Sequence, residues 1–183
     1  MILASRSPQR RAILEQLGIA FEVRVADVDE LEAGPPHEVA AENAYRKAAA
    51  IAPGAGEALV LGVDTIVTLG GRIYGKPADL EEARATLGAL SGHRHAVLSG
   101  MTLIQGSRVR TAVSTTVVEF RALDEALVEW YVATGEWSGR AGGYAIQGRG
   151  AALVRSIEGD YLNVVGLPVA TLLELAPEVL GET

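Results

Sequence analysis

Two kinds of hydrophobic pattern alternate along this chain: strand-like runs with a period of two, and helix-like runs with apolar residues three and four apart. The central strand-like run is Val60 to Leu69, closed by Gly70-Gly71 and followed by Arg72-Ile73-Tyr74-Gly75-Lys76-Pro77. A glycine pair between two such runs predicts a two-residue hairpin turn. Alternation puts Leu61, Val63, Thr65, Val67 and Leu69 on one face, and Gly62, Asp64 and Ile66 on the other. Asp64 is out of character there. Asp is depleted in strands, and a buried carboxylate needs partners: either a nearby Arg or backbone N–H, or a ligand. Gly62 has no side chain and is expected to leave room for that ligand. A regular ladder beyond the turn would pair Thr65 with Lys76 and point Lys76 away from Asp64. The ladder is therefore expected to end or bulge near Gly75, turning Lys76 toward the carboxylate.

The remaining elements follow in order. Ile2 to Ser5 reads as a short strand, and Ser7-Pro8 as an N-cap with proline at the first helical position, opening a helix that stops at Gly18. A strand, a serine-containing turn and a helix start make an anion site, and Arg6, Arg10 and Arg11 crowd it. Phe21 to Val25 is a second strand, leading into the acidic stretch Asp27-Val28-Asp29-Glu30, which either binds a divalent cation or sits in solvent. An alanine-rich helix runs from His37 to about Ile51. Asp79, with Glu82 three residues on, caps another that ends at Gly92. Long strands from Arg94 to Ile104 and Arg108 to Phe120 precede an amphipathic helix begun by Asp124. Residues 137–163 read as a glycine-rich ligand-approaching or surface loop, and Val169 to Leu175 as the last helix. The mixture predicts an α/β fold: a mixed twisted sheet with flanking helices.

Composition narrows the chemistry. The 183 residues are expected to form one domain, and 49% hydrophobic content is ample for a core. No run is long enough to span a membrane, and Arg6 comes too early for a signal peptide. With no cysteine, disulfides and thiolate zinc sites are excluded, which fits a cytoplasmic protein. A net charge of −7 argues against binding a nucleic-acid backbone. Fourteen of the sixteen basic residues are Arg, and the two lysines are Lys47 and Lys76. A compact, rotatable ammonium suits phosphate oxygens near a reacting centre, although a solvated face is the plainer account of either lysine alone.

Several segments together resemble the Maf family of nucleoside triphosphate pyrophosphatases, in the family's order and over nearly the whole chain. They are Leu3 to Arg11, Asp29-Glu30, Lys47-Ala48, Gly62 to Val67, Gly75-Lys76-Pro77, Leu90-Ser91-Gly92, Ala141 to Gly148 and Asn163 to Pro168. The resemblance implies a Maf/ITPase-like fold of two lobes around a cleft. It also implies cleavage of a nucleoside triphosphate between the α and β phosphates, assisted by a divalent cation, Mg²⁺. By the same resemblance Asp64 is the catalytic carboxylate, Ser7, Arg10, Lys47 and Lys76 hold phosphates, Glu30 helps hold the metal, and a homodimer is expected. The chain looks like the branch acting on dTTP and UTP, marked by Thr65 after the catalytic Asp and by Ile146-Gln147-Gly148; modified pyrimidine triphosphates fall in the same class. A third marker position, commonly arginine in this branch and tryptophan in the other, is Gln9 here.

The residues suit that chemistry. Phosphoryl transfer asks for position and charge neutralisation, which Arg10, Lys47, Lys76 and a metal held by carboxylates would supply. Asp64 is either the base that deprotonates water or a metal ligand. The Gln147 amide can donate to O4 of uracil or thymine and accept from N3–H; flipped, it suits cytosine, so neighbouring backbone must share the discrimination. Two other readings remain: a nucleotide-binding regulator of septum formation with little or no catalysis, and a purine-directed pyrophosphatase.

Overall fold

The computed structural model describes residues 1–25 and 27–181. Its strands are β1 (Ile2–Leu3), β2 (Glu22–Val23), β3 (Val60–Leu69), β4 (Arg72–Tyr74), β5 (Arg94–Gln105), β6 (Arg108–Phe120) and β7 (Val154–Glu158). The helices are α1 (Pro8–Gln16), α2 (Pro36–Ile51), α3 (Leu80–Leu90), α4 (Glu125–Val132), α5 (Tyr161–Val165) and α6 (Val169–Leu175). The strands form one mixed sheet in the order β2-β1-β3-β5-β6-β7, with β4 also pairing β3. The sheet is parallel where β1 meets β2 and β3, and antiparallel elsewhere.

Local chemistry explains most of the boundaries. Ser7 caps α1 by accepting the Arg10 N–H, and Pro8 occupies the first turn. Asp79 and Asp124 cap α3 and α4 by accepting from Glu82 and Leu127. Gly70 and Gly71 turn the β3–β4 hairpin at φ +59° and +82°, the left-handed values of a type I′ turn. One segment differs from expectation. Within the glycine-rich stretch, Val154–Glu158 is an edge strand on β6, reached through a shift in register at Glu119/Phe120. Five residues with two charges carry too little periodicity to stand out as a strand; only β6, already folded, supplies their partner.

The two faces of the sheet are filled differently. On the Asp64 face, α2 packs across the strands, burying Val39, Ala40 and Ala48 against Ile2, Val60, Ile66, Leu98 and Ile104. The other face carries two separate apolar clusters. Ile13, Leu14 and Leu172 of α1 and α6 cover Leu61, Val63 and Met101, while Leu87 and Leu90 of α3 and Tyr131 of α4 cover Val67, Val97 and Phe120. The boundary between the clusters crosses β3 at Thr65.

Two glycines set how closely α2 can lie. A Cβ on Gly62 would sit 2.2 Å from the Ala44 carbonyl oxygen, and one on Gly100 would sit 1.9 Å from that of Ala40. The expectation that Gly62 leaves room for a ligand is therefore corrected. The space beside Asp64 on that face belongs to the backbone of α2, because period two cannot tell a helix from a ligand as the occupant of an open face.

Candidate active site

β3 is shared along one edge by two different partners. β1 pairs with Val60 and Leu61, and β4 with Val67 to Leu69, so residues 62–66 have no strand beside them on that edge. The Leu61 carbonyl accepts from Ala4 on this side, and alternation then directs the backbone groups of Val63 and Thr65 into the gap. A cavity of about 460 Å³ opens there, within the range of small-molecule sites. Because the cavity lies at a strand edge, side chains from both faces reach it: Asp64 from one, Thr65 from the other.

Asp64 is 6% exposed, and both carboxylate oxygens are engaged. Oδ1 accepts from Lys47 Nζ at 2.6 Å and Oδ2 from Asn43 Nδ2 at 3.1 Å. The same ammonium lies 2.8 Å from Glu30 Oε1. Asn43 and Lys47 are one helical turn apart on α2, which is why they meet one carboxylate together. Asn43 also grips the main chain of Leu31 through both ends of its amide, fixing the segment that carries Glu30. An ion pair this buried repays its desolvation only with further hydrogen bonds, and Asn43 supplies one.

Arg10 approaches from the opposite face and is held by neutral groups. Its Nε donates to the Gly166 carbonyl at 2.8 Å, Nη1 to Ser5 Oγ at 2.8 Å and Nη2 to Thr65 Oγ1 at 3.1 Å. Burial pulls this guanidinium below its usual range, an effect opposed by the charges of Asp64 and Glu30. No carboxylate lies within ion-pair distance of Arg10 among the described residues. A buried cation with only neutral acceptors is suited to an anionic ligand.

The other expected residues divide. Ser7 and Gln9 line the cavity and hydrogen-bond each other at 3.1 Å. Lys76 lines it too: the β3–β4 ladder stops at Tyr74, releasing Lys76 from the Thr65 register, and Lys76 makes no ion pair among the described residues. Gln147 is exposed on the cavity wall. Of the crowded arginines, Arg6 and Arg11 are exposed and lie 3.8 Å from Asp27 and Glu15. Sequence reasoning passed over Asn43, which bonds Asp64, and Ser5 and Ser99, which bond Arg10 and Thr65. The i,i+4 spacing of Asn43 and Lys47 was the available signal; Ser99 carried none.

The glycine-rich wall is anchored from beneath. Tyr144 and His95 share a 3.0 Å hydrogen bond, their rings pack edge-on with Phe120, and the Tyr131 hydroxyl accepts the Ala145 N–H at 3.0 Å. Gly142 N–H donates to the Gly75 carbonyl, joining this wall to the turn that bears Lys76. Burial pulls His95 down to about 4 and pushes Tyr131 up to about 12. Between pH 6.5 and 4 the unfolded chain thus binds a proton at this histidine that the folded chain refuses, so acid favours unfolding. Urea titrations should lose about 3 kcal/mol at this site from neutral pH to below 4, and His95→Gln should flatten the pH dependence by that amount. Equal pH slopes in the two proteins would contradict the assignment.

The residues suit a hard divalent cation. Glu30 and Asp64 offer carboxylate oxygens to one and the same ammonium, and no group of three or more acidic or histidine side chains is assembled among the described residues. Mg²⁺ is commonly held by one or two carboxylates, with phosphate oxygens and water completing its shell.

Comparison with known proteins agrees with this geometry. The family profile described as Maf-like protein matches residues 1–179. The dTTP/UTP pyrophosphatase of Symbiobacterium thermophilum is 48% identical over 177 residues, spanning 96% of this chain and 91% of that protein. Those of Pelotomaculum thermopropionicum and Pyrococcus furiosus are 47% and 45% identical over 179 residues, each spanning 96% of this chain and 94% and 93% of their own length. No helix among the described residues is long and apolar enough to cross a membrane.

Proposed function

Because this chain belongs to the Maf family, we propose that the cleft at the open edge of β3 is where it binds a pyrimidine nucleoside triphosphate, and where Asp64 drives the attack of water on the α phosphorus. The protein is a nucleoside triphosphate pyrophosphatase acting on dTTP and UTP, the substrates for which its relatives are named. The products are the nucleoside monophosphate and pyrophosphate. Pyrophosphatases of this family generally depend on a divalent metal. We take residues 1–183 as one Maf-like domain, the cytoplasm as its compartment and a homodimer as its assembly.

One observation carries the reading: a buried carboxylate stands at an unpaired strand edge, with Arg10, Lys47 and Lys76 brought to the same cavity from three parts of the chain. Each Asp64 oxygen keeps a second lone pair beyond its bond to Lys47 or Asn43, and one of these accepts the proton of the attacking water. Lys47, gripped by Glu30 and Asp64, holds that carboxylate in place. Arg10 and Lys76 take the phosphate charge, and Ser7 and Gln9 line the turn where the phosphates enter. Gln147 faces the base, donating to O4 and accepting from N3–H, while Thr65 acts from behind through Arg10. Mg²⁺ held at Glu30 and Asp64 would neutralise the charge growing on the leaving pyrophosphate.

The test is pyrophosphate release from dTTP, UTP, CTP and GTP with Mg²⁺. Turnover of dTTP and UTP to the monophosphate and pyrophosphate is expected, with GTP slower by about tenfold or more through mismatch at the base. CTP should be slower through the backbone groups beside Gln147, since a flipped amide by itself would accept cytosine. Orthophosphate as the product would overturn the assignment. Binding without turnover of any triphosphate would instead restore the regulator, a reading the named relatives do not favour.

A further inference from the structure

Ser99 is fully buried, and apolar packing does not explain it. On β5 it stands between Val97 and Met101, which belong to the two separate apolar clusters of that sheet face. In the ladder it pairs with Thr65 on β3 and Ser114 on β6. The three hydroxyl residues form a row along the boundary between the clusters, and Ser114 Oγ is bonded at 2.6 Å to Thr171 Oγ1 of α6. Ser99 Oγ instead lies 2.9 Å from Thr65 Oγ1. A buried hydroxyl is costly unless bonded, so an aliphatic residue here would pack at least as well if packing were the requirement.

The hydrogen-bond inventory ties Ser99 to one side-chain partner. Thr65 Oγ1 accepts from Arg10 Nη2 and shares a second hydrogen bond with Ser99 Oγ, in which either hydroxyl can donate. In either sense the Ser99 contact fixes the rotation of the Thr65 hydroxyl while Thr65 keeps a lone pair on Arg10. Remove the Ser99 oxygen and the Thr65 hydroxyl is free to rotate, and one of the three neutral groups that hold the buried guanidinium loses its orientation. Gly166 and Ser5, the other two, accept from Nε and Nη1 of the same guanidinium.

We propose that Ser99 is a positioning residue for triphosphate binding: by holding the Thr65 hydroxyl it sets the angle at which Arg10 meets the phosphates. The proposal rests on the cleft being the nucleotide site. It also gives a physical role to Thr65, whose side chain serves the phosphate-binding arginine from the face of β3 opposite to Asp64.

Steady-state kinetics with UTP and Mg²⁺ on wild type, Ser99→Ala, Thr65→Val and the double variant test it, with thermal midpoints measured alongside. Ser99→Ala should raise KM about three- to tenfold, the worth of one oriented hydrogen bond, and change kcat by less than about twofold. In the Thr65→Val background the same substitution should add nothing to KM, because its route to Arg10 is already cut. An unchanged KM in Ser99→Ala, or KM effects that multiply in the double variant, would overturn the proposal whatever the midpoints do. Arg10→Ala separates the two levels. A wild-type KM there brings down the cleft as nucleotide site and this proposal with it. A raised KM there, beside an unchanged KM in Ser99→Ala, keeps the cleft and removes only the role of Ser99.

Discussion

Asp64→Asn abolishes pyrophosphate release from UTP and leaves nucleotide binding in place. The substitution keeps the volume of the side chain and one oxygen for Lys47, but removes the group that accepts the water's proton. Loss of a positioned general base costs about 10²- to 10⁴-fold in kcat. Binding survives because the phosphate-facing cations do not lean on Asp64. Arg10 is fixed by Gly166, Ser5 and Thr65, Lys76 makes no ion pair among the described residues, and Lys47, which holds the carboxylate, retains Glu30. The measurement is kcat from pyrophosphate release, with calorimetric binding of UTP in the absence of turnover. A variant within about tenfold of wild type would remove Asp64 from the reaction, since even a weak general base contributes more. A variant that neither binds nor turns over would make it a structural anchor.

Gly100→Ala gives the largest loss of stability. Its Cβ would lie 1.9 Å from the Ala40 carbonyl oxygen, 2.3 Å from the carbonyl carbon and 2.8 Å from the Ala41 nitrogen. All three are backbone atoms of α2 and cannot rotate away. The helix must lift off the sheet, opening the layer that buries Val39, Ala40, Ile66 and Leu98. The cost should exceed about 3 kcal/mol, the upper range for overpacking, and the purified variant should be largely unfolded or insoluble. Because α2 carries Asn43 and Lys47, any folded fraction should also lose activity. Gly88→Ala is the control. That glycine is exposed on α3 with nothing within 4 Å of a built Cβ, so the change should stabilise by up to about 1 kcal/mol through helix propensity alone. Urea midpoints moving in the same direction for both variants would refute the close-approach argument.

These results bear on how Asp64 comes to be buried yet reactive. Burial by α2 requires the two glycines, and the ammonium and amide on α2 offset the cost of that burial. Access requires the interrupted strand edge, where pairing with β1 reaches only Leu61 and pairing with β4 only Val67. A continuous neighbour along β3 would leave the carboxylate paired and sealed.

Much of this was decided locally and could be read from the chain alone. The two-residue hairpin at Gly70-Gly71 and the caps at Ser7, Asp79 and Asp124 depend on turn and capping chemistry within a few residues, so residue type determines them. The order of the family-like segments identified Asp64, Arg10, Lys47 and Lys76 as candidates, because the chemistry of a charged side chain travels with its identity. What stands next to Asp64 was decided only in three dimensions. Gly62 could have faced a ligand or a helix, and the packing of α2 settled it. The partners of Arg10 come from residues 5, 65 and 166, and β7 exists as a strand only because β6 offers an edge. Contacts between residues so far apart in the chain leave no periodic trace in it, so the Ser99–Thr65–Arg10 chain became visible only once β3, β5 and α1 were in place.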